Sequence, residues 1–256
     1  RRDGRGDVML YLSRLLLNQA CRSVRRDISD CQQMHRTVMR AFPGTPDIDT
    51  GARASMGVLY RVEYSRLVNA PRLLVQSRVE PNWSNLPEGY LLDTEPDLDN
   101  PACKNIEAAY AQFDDGDVLV FCLKANPTRK INTSLKTERE AGLAKRNGNR
   151  VFIVDENEQL KWLARKAEES GFELLTAAIA QTEIADVQIS NEQKVSGKKR
   201  LSDTQSPTQE LVLRGCTFSG RLRVVDSLRF RSALVNGIGS GKAYGFGLLS
   251  VAKPRA

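Results

Sequence analysis

Five glycines fall within eleven residues in Gly237-Ile-Gly-Ser-Gly-Lys-Ala-Tyr-Gly-Phe-Gly247, between a helix-like run from Asp226 to Asn236 and a strand-like run from Phe246 to Val251. Glycine tolerates positive φ and has no Cβ to hold a neighbour away. A stretch this dense therefore either cradles an anion or passes closely beneath another element. Spacing argues against nucleotides. A P-loop needs glycine where Asn236 stands and a hydroxyl where Ala243 stands. A dinucleotide fingerprint needs strand before loop and helix after it, the reverse of the order here. Two compatible readings remain: Gly237 as a helix C′ residue opening a tight turn, and a loop that faces a ligand.

The rest of the chain supplies elements of both periods. Met9–Asn18 reads as a buried strand, and Arg22, Arg25 and Arg26 follow in a loop. Asp30 with Gln33 three residues on starts a helix whose apolar stripe is Cys31, Met34, Val38, Ala41 and Phe42, ended by Pro43-Gly44. Gly57–Tyr64 and Arg72–Val79 read as a hairpin, and Trp83–Asn105 as a loop with at most one short helix. Ile106–Phe113 adds a helical turn and Asp117–Ala125 is a clear strand. Beyond Asn126-Pro127, Val151–Val154 leads to a helix capped by Asp155 with Glu158 and closed by Gly171. Phe172–Ile189 and Glu210–Val225 are strand-rich, and a third helix starts at Asp226. Two successive β-α-β-β-α-β orders predict an α+β protein of two tandem ferredoxin-like (βαββαβ) domains, 9–126 and 127–256. Residues 1–8 are expected to be a disordered leader.

Charge is segregated. The chain of 256 residues carries a net +7, with a pI near 9.3, which favours a polyanionic partner. Residues 88–117 hold nine acids and one Lys, whereas Lys124–Arg139 holds five basic residues and one Glu. Lys194-Val-Ser-Gly-Lys-Lys-Arg200 reads as a projecting basic hairpin. Five cysteines, none in a Cys-x-x-Cys pair, support neither a disulfide framework nor a zinc knuckle and point to a reducing cytoplasm. No apolar run reaches the ~18 residues of a membrane span.

His35 is the single histidine, which excludes a two-histidine metal site or a His-His acid/base pair. Its residue type leaves two readings open, a satisfied structural side chain or a group titrating near neutrality beside phosphate. Arg25, Arg26, Arg36 and Arg40 lie close in sequence and favour the second. Lys124, Arg129, Lys130, Lys198, Lys199, Arg200 and Lys242 are the further candidate phosphate contacts, each alternatively a solvated charge. Tyr244 and Phe246 are expected in the core.

Four motifs, in order, carry a family resemblance: Met9 with Tyr11-Leu-Ser-Arg-Leu15; Met34-His-Arg-Thr37 with Ala41-Phe-Pro43; Leu123-Lys-Ala-Asn-Pro127; and Gly237-Ile-Gly239 through Gly247-Leu-Leu-Ser-Val251. From Met9 to the C-terminus the chain resembles the CasE family, the CRISPR repeat-cleaving endoribonucleases of type I-E systems in the RAMP superfamily. The resemblance implies tandem ferredoxin-like domains and binding of the CRISPR repeat hairpin. It also implies one metal-independent cut at the 3′ base of the stem, without nucleotide or other cofactor, and retention of the product with the other Cascade subunits. It places catalysis on His35, with Arg40 at the position of a basic residue five further on. Gln32 stands where the family has a helper tyrosine. The competing class is a non-catalytic hairpin-binding subunit in which His35 is structural.

Overall fold

The computed structural model describes residues 9–44, 50–65, 68–95, 98–130, 150–179, 182–199 and 209–254. The expected leader and Arg200 lie outside them. Two antiparallel sheets carry the chain. The first contains β1 (Tyr11–Leu16), β2 (Leu59–Ser65), β3 (Ala70–Ser77) and β4 (Ala102–Asn105) in the order β2-β3-β1-β4. The second contains β5 (Val118–Ala125), β11 (Val187–Lys199), β12 (Gln209–Val224) and β13 (Leu249–Ala252) in the order β11-β12-β5-β13, with β8 (Phe172–Leu174) also on β12. Both orders are that of the ferredoxin-like fold. Two strand pairs flank the second sheet: β6 (Thr128–Lys130) with β7 (Arg150–Phe152), and β9 (Thr176–Ile179) with β10 (Thr182–Ala185).

Sheet membership corrects the expected division at Asn126-Pro127. Val118–Ala125, read as the strand that completes the first unit, lies between β12 and β13 at the centre of the second sheet. The change of sheet therefore falls between Asn105 and Val118. The strand that does complete the first sheet, β4, pairs with β1 from Arg14↔Ala102 to Tyr11↔Asn105. Three of its four residues are exposed, so it has no buried alternation for a sequence reading to find. Before β4, the described residues from Trp83 onward hold one 3₁₀ turn, Trp83–Asn85, and no helix between β3 and β4.

Helix starts follow the caps. α1 (Arg22–Ser29) occupies the segment expected as a loop, its Val24 and Asp27 buried. α2 (Cys31–Met39) begins where Asp30 Oδ1 accepts from the N–H groups of Gln32 and Gln33 at 2.9 and 3.2 Å. α3 (Thr50–Ser55) precedes β2, and α4 (Glu107–Ala111) follows β4. In the second unit Asp155 accepts from Glu158 N–H to start α5 (Glu156–Glu169), and Asp226 from Arg229 N–H to start α6 (Ser227–Asn236). Gly237 at φ +73° donates to Ala233 O and ends α6, as the C′ reading requires. One core gathers Met34, Val38, Phe42, Tyr60, Leu73 and Trp83; the other gathers Phe121, Leu123, Trp162, Phe172, Phe218 and Phe230.

The two units are clamped through buried polar side chains. Arg61, 4 % exposed, donates to Cys122 O, Leu248 O and Ser250 Oγ, each at 3.1 Å, and pairs with Glu63 at 3.2 Å. Gln76 donates to Leu234 O at 2.8 Å and accepts from Tyr110 at 3.0 Å; Tyr60 donates to Ala243 O at 2.9 Å. No helix among the described residues is long and apolar enough to cross a membrane.

Arg61→Ala removes three bonds across the seam and leaves their acceptors desolvated, so it should cost about 3 kcal/mol in urea unfolding. Tyr60→Phe, losing one neutral bond, should cost about 1 kcal/mol. Equal costs for the two variants would contradict the clamp.

Candidate active site

The glycine-rich loop is the second unit's contribution to the seam, and α2 is the first unit's. The centre of the loop is a 3₁₀ turn, Lys242–Tyr244, between Gly241 and Gly245, both left-handed. At Gly245 (φ +87°) a Cβ would stand 3.2 Å from the Tyr60 ring, so the turn lies directly on β2. That position brings Tyr244 against the catalytic candidate: the Tyr244 and His35 rings meet edge-on, centroids 6.2 Å apart. The expectation that Tyr244 is core is corrected, for its side chain is half-buried at the seam; Phe246, fully buried, is core as expected.

His35 sits one residue beyond Met34 and four beyond Cys31, on the edge of the stripe that α2 buries. It is 7 % exposed. Burial first, then the charges of Arg53 and Arg36, push its imidazole from the ordinary 6.5 down to about 4. Neutral pH therefore finds it uncharged. Its Nδ1 and the Gln32 Oε1 are sealed from solvent without a hydrogen-bond partner among the described residues. The ring is held by packing, with Tyr244 as one wall.

Cations surround this neutral group. Arg53, on α3, donates to Val58 O at 2.7 Å and weighs on His35 more than Arg36 does. Sequence reading missed it, because Gly-Ala-Arg-Ala-Ser carries no motif and only the turn from α3 to β2 brings it here. Lys242 donates to Asn236 O at 2.8 Å, and burial followed by Arg53 and Lys166 lowers its amine. Arg53 and Arg36 thus act on the imidazole and Lys242 feels Arg53 in turn, while Arg40 stands exposed at the C-cap of α2. Five residues along a helix turn through ~140° away from His35.

The other candidates scatter. Arg25 and Arg26 lie on α1; Arg25 donates to Gln19 O and Ala20 O at 2.8 and 2.6 Å, and Arg26 pairs with buried Asp27 at 2.7 Å. Lys124 is paired with Glu192 and lies 5.8 Å from the Phe246 ring centroid, so its charge is already met inside the second unit. Arg129 and Lys130 are exposed on β6. Lys198 and Lys199 end β11, opposite Glu210 and Gln209. That strand does not simply project: a Cβ on Gly197 would stand 2.9 Å from both Asp30 Oδ1 and Cys31 Sγ, so the backbone lies on the first turn of α2. Among the described residues no three His, Cys, Asp or Glu side chains cluster as metal ligands do.

Paired ferredoxin-like sheets with an imidazole in a cation-lined seam define the class of protein. The chain belongs to the CRISPR associated protein family, whose profile matches residues 10–253. It is 33% identical over 243 residues to the CRISPR-associated endoribonuclease Cse3 of Thermus thermophilus, covering 95% of this chain and 100% of that one. To the CRISPR system Cascade subunit CasE of Escherichia coli it is 27% identical over 245 residues, covering 95% and 99%. The structure of Thermus thermophilus Cse3 bound to an RNA representing a pre-cleavage complex superposes with a TM-score of 0.67 at 31% identity, covering 95% and 99%.

With one histidine in the chain, its imidazole can be followed by NMR without assignment. It should titrate near pH 4 in the free protein. Because the folded value is depressed, the stability His35 contributes is complete above the ordinary 6.5 and is lost as pH falls towards about 4. A midpoint at 6 or above would place the ring in water.

Proposed function

We propose that the chain is a metal-independent endoribonuclease that binds the hairpin of CRISPR repeat RNA, cuts once at the 3′ base of the stem and stays on the product as a Cascade subunit. The observation that carries this reading is His35: buried, neutral, and under the charges of Arg53 and Arg36 where two units meet. Relatives named as Cse3 endoribonuclease and as a Cascade subunit support it. Five free cysteines, Cys21, Cys31, Cys103, Cys122 and Cys216, fit work in a reducing cytoplasm.

Strand scission requires the 2′-OH to attack the adjacent phosphorus in line, breaking the bond to the 5′-oxygen, which takes up a proton from solvent, and leaving a 2′,3′-cyclic phosphate and a 5′-OH. A neutral imidazole suits the proton taken from the 2′-OH, and His35 is held neutral before substrate arrives. The non-bridging oxygens of the phosphorane carry the developing negative charge. Arg53, Arg36 and Lys242 supply the opposing field, with Arg40 as a more distant contributor. Binding the phosphodiester also offsets the cationic pressure on His35, so its affinity for the abstracted proton rises as the complex forms. Tyr244 fixes the ring by its edge contact. β11 lies on the start of α2 at Gly197, and Lys198 and Lys199, which end it, take the stem together with Arg200; Arg25, Arg26, Arg129 and Lys130 extend the phosphate-facing surface.

Single-turnover cleavage of repeat RNA, beside binding of a hairpin with a 2′-deoxy group at the cut, tests this. His35→Ala should lose roughly 10²- to 10⁴-fold in rate with affinity nearly unchanged, and Arg40→Ala should lose less. Near-normal cutting by the His35 variant would return that residue to a structural role. Tyr244→Phe should cut at close to the normal rate, while Tyr244→Ala should slow cutting about tenfold or more and raise the imidazole midpoint. Equal loss in the Phe and Ala variants would assign the effect to the hydroxyl.

Cutting should persist in excess EDTA, since among the described residues no three His, Cys, Asp or Glu side chains cluster as metal ligands do; loss restored by magnesium would overturn this. Hairpin affinity should fall steeply with salt, and replacing Lys198, Lys199 and Arg200 together by Ala should flatten that slope. An unchanged slope removes the segment from the interface.

A further inference from the structure

Beyond Lys242 the seam opens into a cleft of about 840 Å³ on the second unit, bounded by α5, α6 and the backbone of Gly237–Ser240. Five cationic side chains line it: Arg150, Arg165, Lys166, Arg229 and Lys242. Among the described residues two carboxylates answer them. Arg165 and Lys166 share Glu169, and Arg229 leans on Asp226 at 3.1 Å. Five charges against two leave a surplus of three in a concave site, where low-dielectric walls strengthen the field on an anion. Lys242 and Lys166 also serve helix C-termini, since one caps Asn236 O and the other lies in the last turn of α5. Arg150, on β7, has no such role, and Arg165 lies a turn before the end of α5.

The cleft is a passage. At one end Lys242 begins the turn that ends in Tyr244 against His35. At the other it shares Thr128, Arg150, Trp162 and Arg165 with a shallower groove that continues to Arg129 and Lys130. The ligand it suits is defined by what lines it. Trp162 is 6 % exposed and stacked on Phe218, centroids 6.1 Å apart, so its face is not free to stack on a base. The lining reads charge, and the volume is that of a small-ligand site, too small for a duplex.

We infer that this cleft carries the single-stranded RNA that continues 3′ from the scissile phosphate, held by its backbone and without regard to sequence. The inference rests on the proposed cleavage of the hairpin. With the stem at the β11 side of α2 and the phosphate at His35, the strand beyond the cut leaves on the side of Lys242 and enters the passage. Its phosphates meet Lys242 first, then Arg165 and Arg150. Holding this strand fixes the leaving 5′-oxygen opposite the attacking 2′-OH, the alignment that in-line displacement needs.

The test uses the full chain and the uncleavable hairpin with no flank, with a 3′ flank of about eight nucleotides, or with a 5′ flank of the same length, within the span of known single-strand sites. The 3′ flank should tighten binding on the order of tenfold at low salt, whatever its sequence, because two or three further phosphates release their counterions. Arg150→Ala with Arg165→Ala should abolish that gain and leave the flankless hairpin bound as before. A thermal melt confirms that the double variant is folded; should it melt early, Arg165→Ala alone must show a reduced gain. No gain from the 3′ flank, a gain the variant keeps, a gain confined to the 5′ flank, or weakened binding of the flankless hairpin by the variant each overturns the inference. Failure of the wild-type chain to bind the flankless hairpin, or to cut a cleavable repeat RNA, is a distinct result and removes the functional reading along with this one.

Discussion

The guanidinium of Arg61 is the contact on which the seam depends. A charged group 4 % exposed is tolerated only when its donors are met, and three of its acceptors belong to the second unit. Arg61 therefore ties β2 of one sheet to β5 and β13 of the other at one fixed separation. Tyr60, its neighbour on β2, donates to Ala243 O within the glycine-rich loop. The same strand thus sets both the distance between the sheets and the place of the turn that brings Tyr244 to His35.

Within that seam the site holds two opposed tendencies. Burial and positive neighbours keep the imidazole uncharged, and the same neighbours carry the charge that the proposed function needs to attract a phosphodiester. In the free protein the charges of Arg53 and Arg36 push on His35. On the proposed function, a bound phosphate would offset that push, so the cations that keep the imidazole neutral would also draw in the substrate that lets it accept a proton. The glycines make this possible by geometry, since side chains at Gly197 or Gly245 would separate the surfaces that carry these groups.

Much of the local structure was legible in the residues. Asp30, Asp155 and Asp226 cap the helices that the spacing of polar and apolar residues predicts, because a cap is satisfied within three residues of itself. The ferredoxin-like order follows from the succession of elements, yet that succession assigns Val118–Ala125 to the first unit, whereas the strand pairs in the second sheet. Strand pairing is long-range, and a strand apolar enough for either sheet does not say which one it joins. The edge strand Ala102–Asn105 and helix Arg22–Ser29 were missed because one is mostly exposed and the other arginine-rich, so neither shows a buried period.

The sequence by itself determined the single imidazole, the cationic surplus, the helix caps and a glycine loop without the spacing of a nucleotide fingerprint, since these follow from composition and short spacings. Tertiary structure alone decided the company of His35. Arg53 and Tyr244 lie 18 and 209 positions away from it along the chain. Lys124, charged and well placed in sequence, is spent on Glu192 inside the second unit. Which cations remain to face a phosphate depends on where carboxylates and sheet edges meet after folding, and such meetings arise between distant parts of the chain.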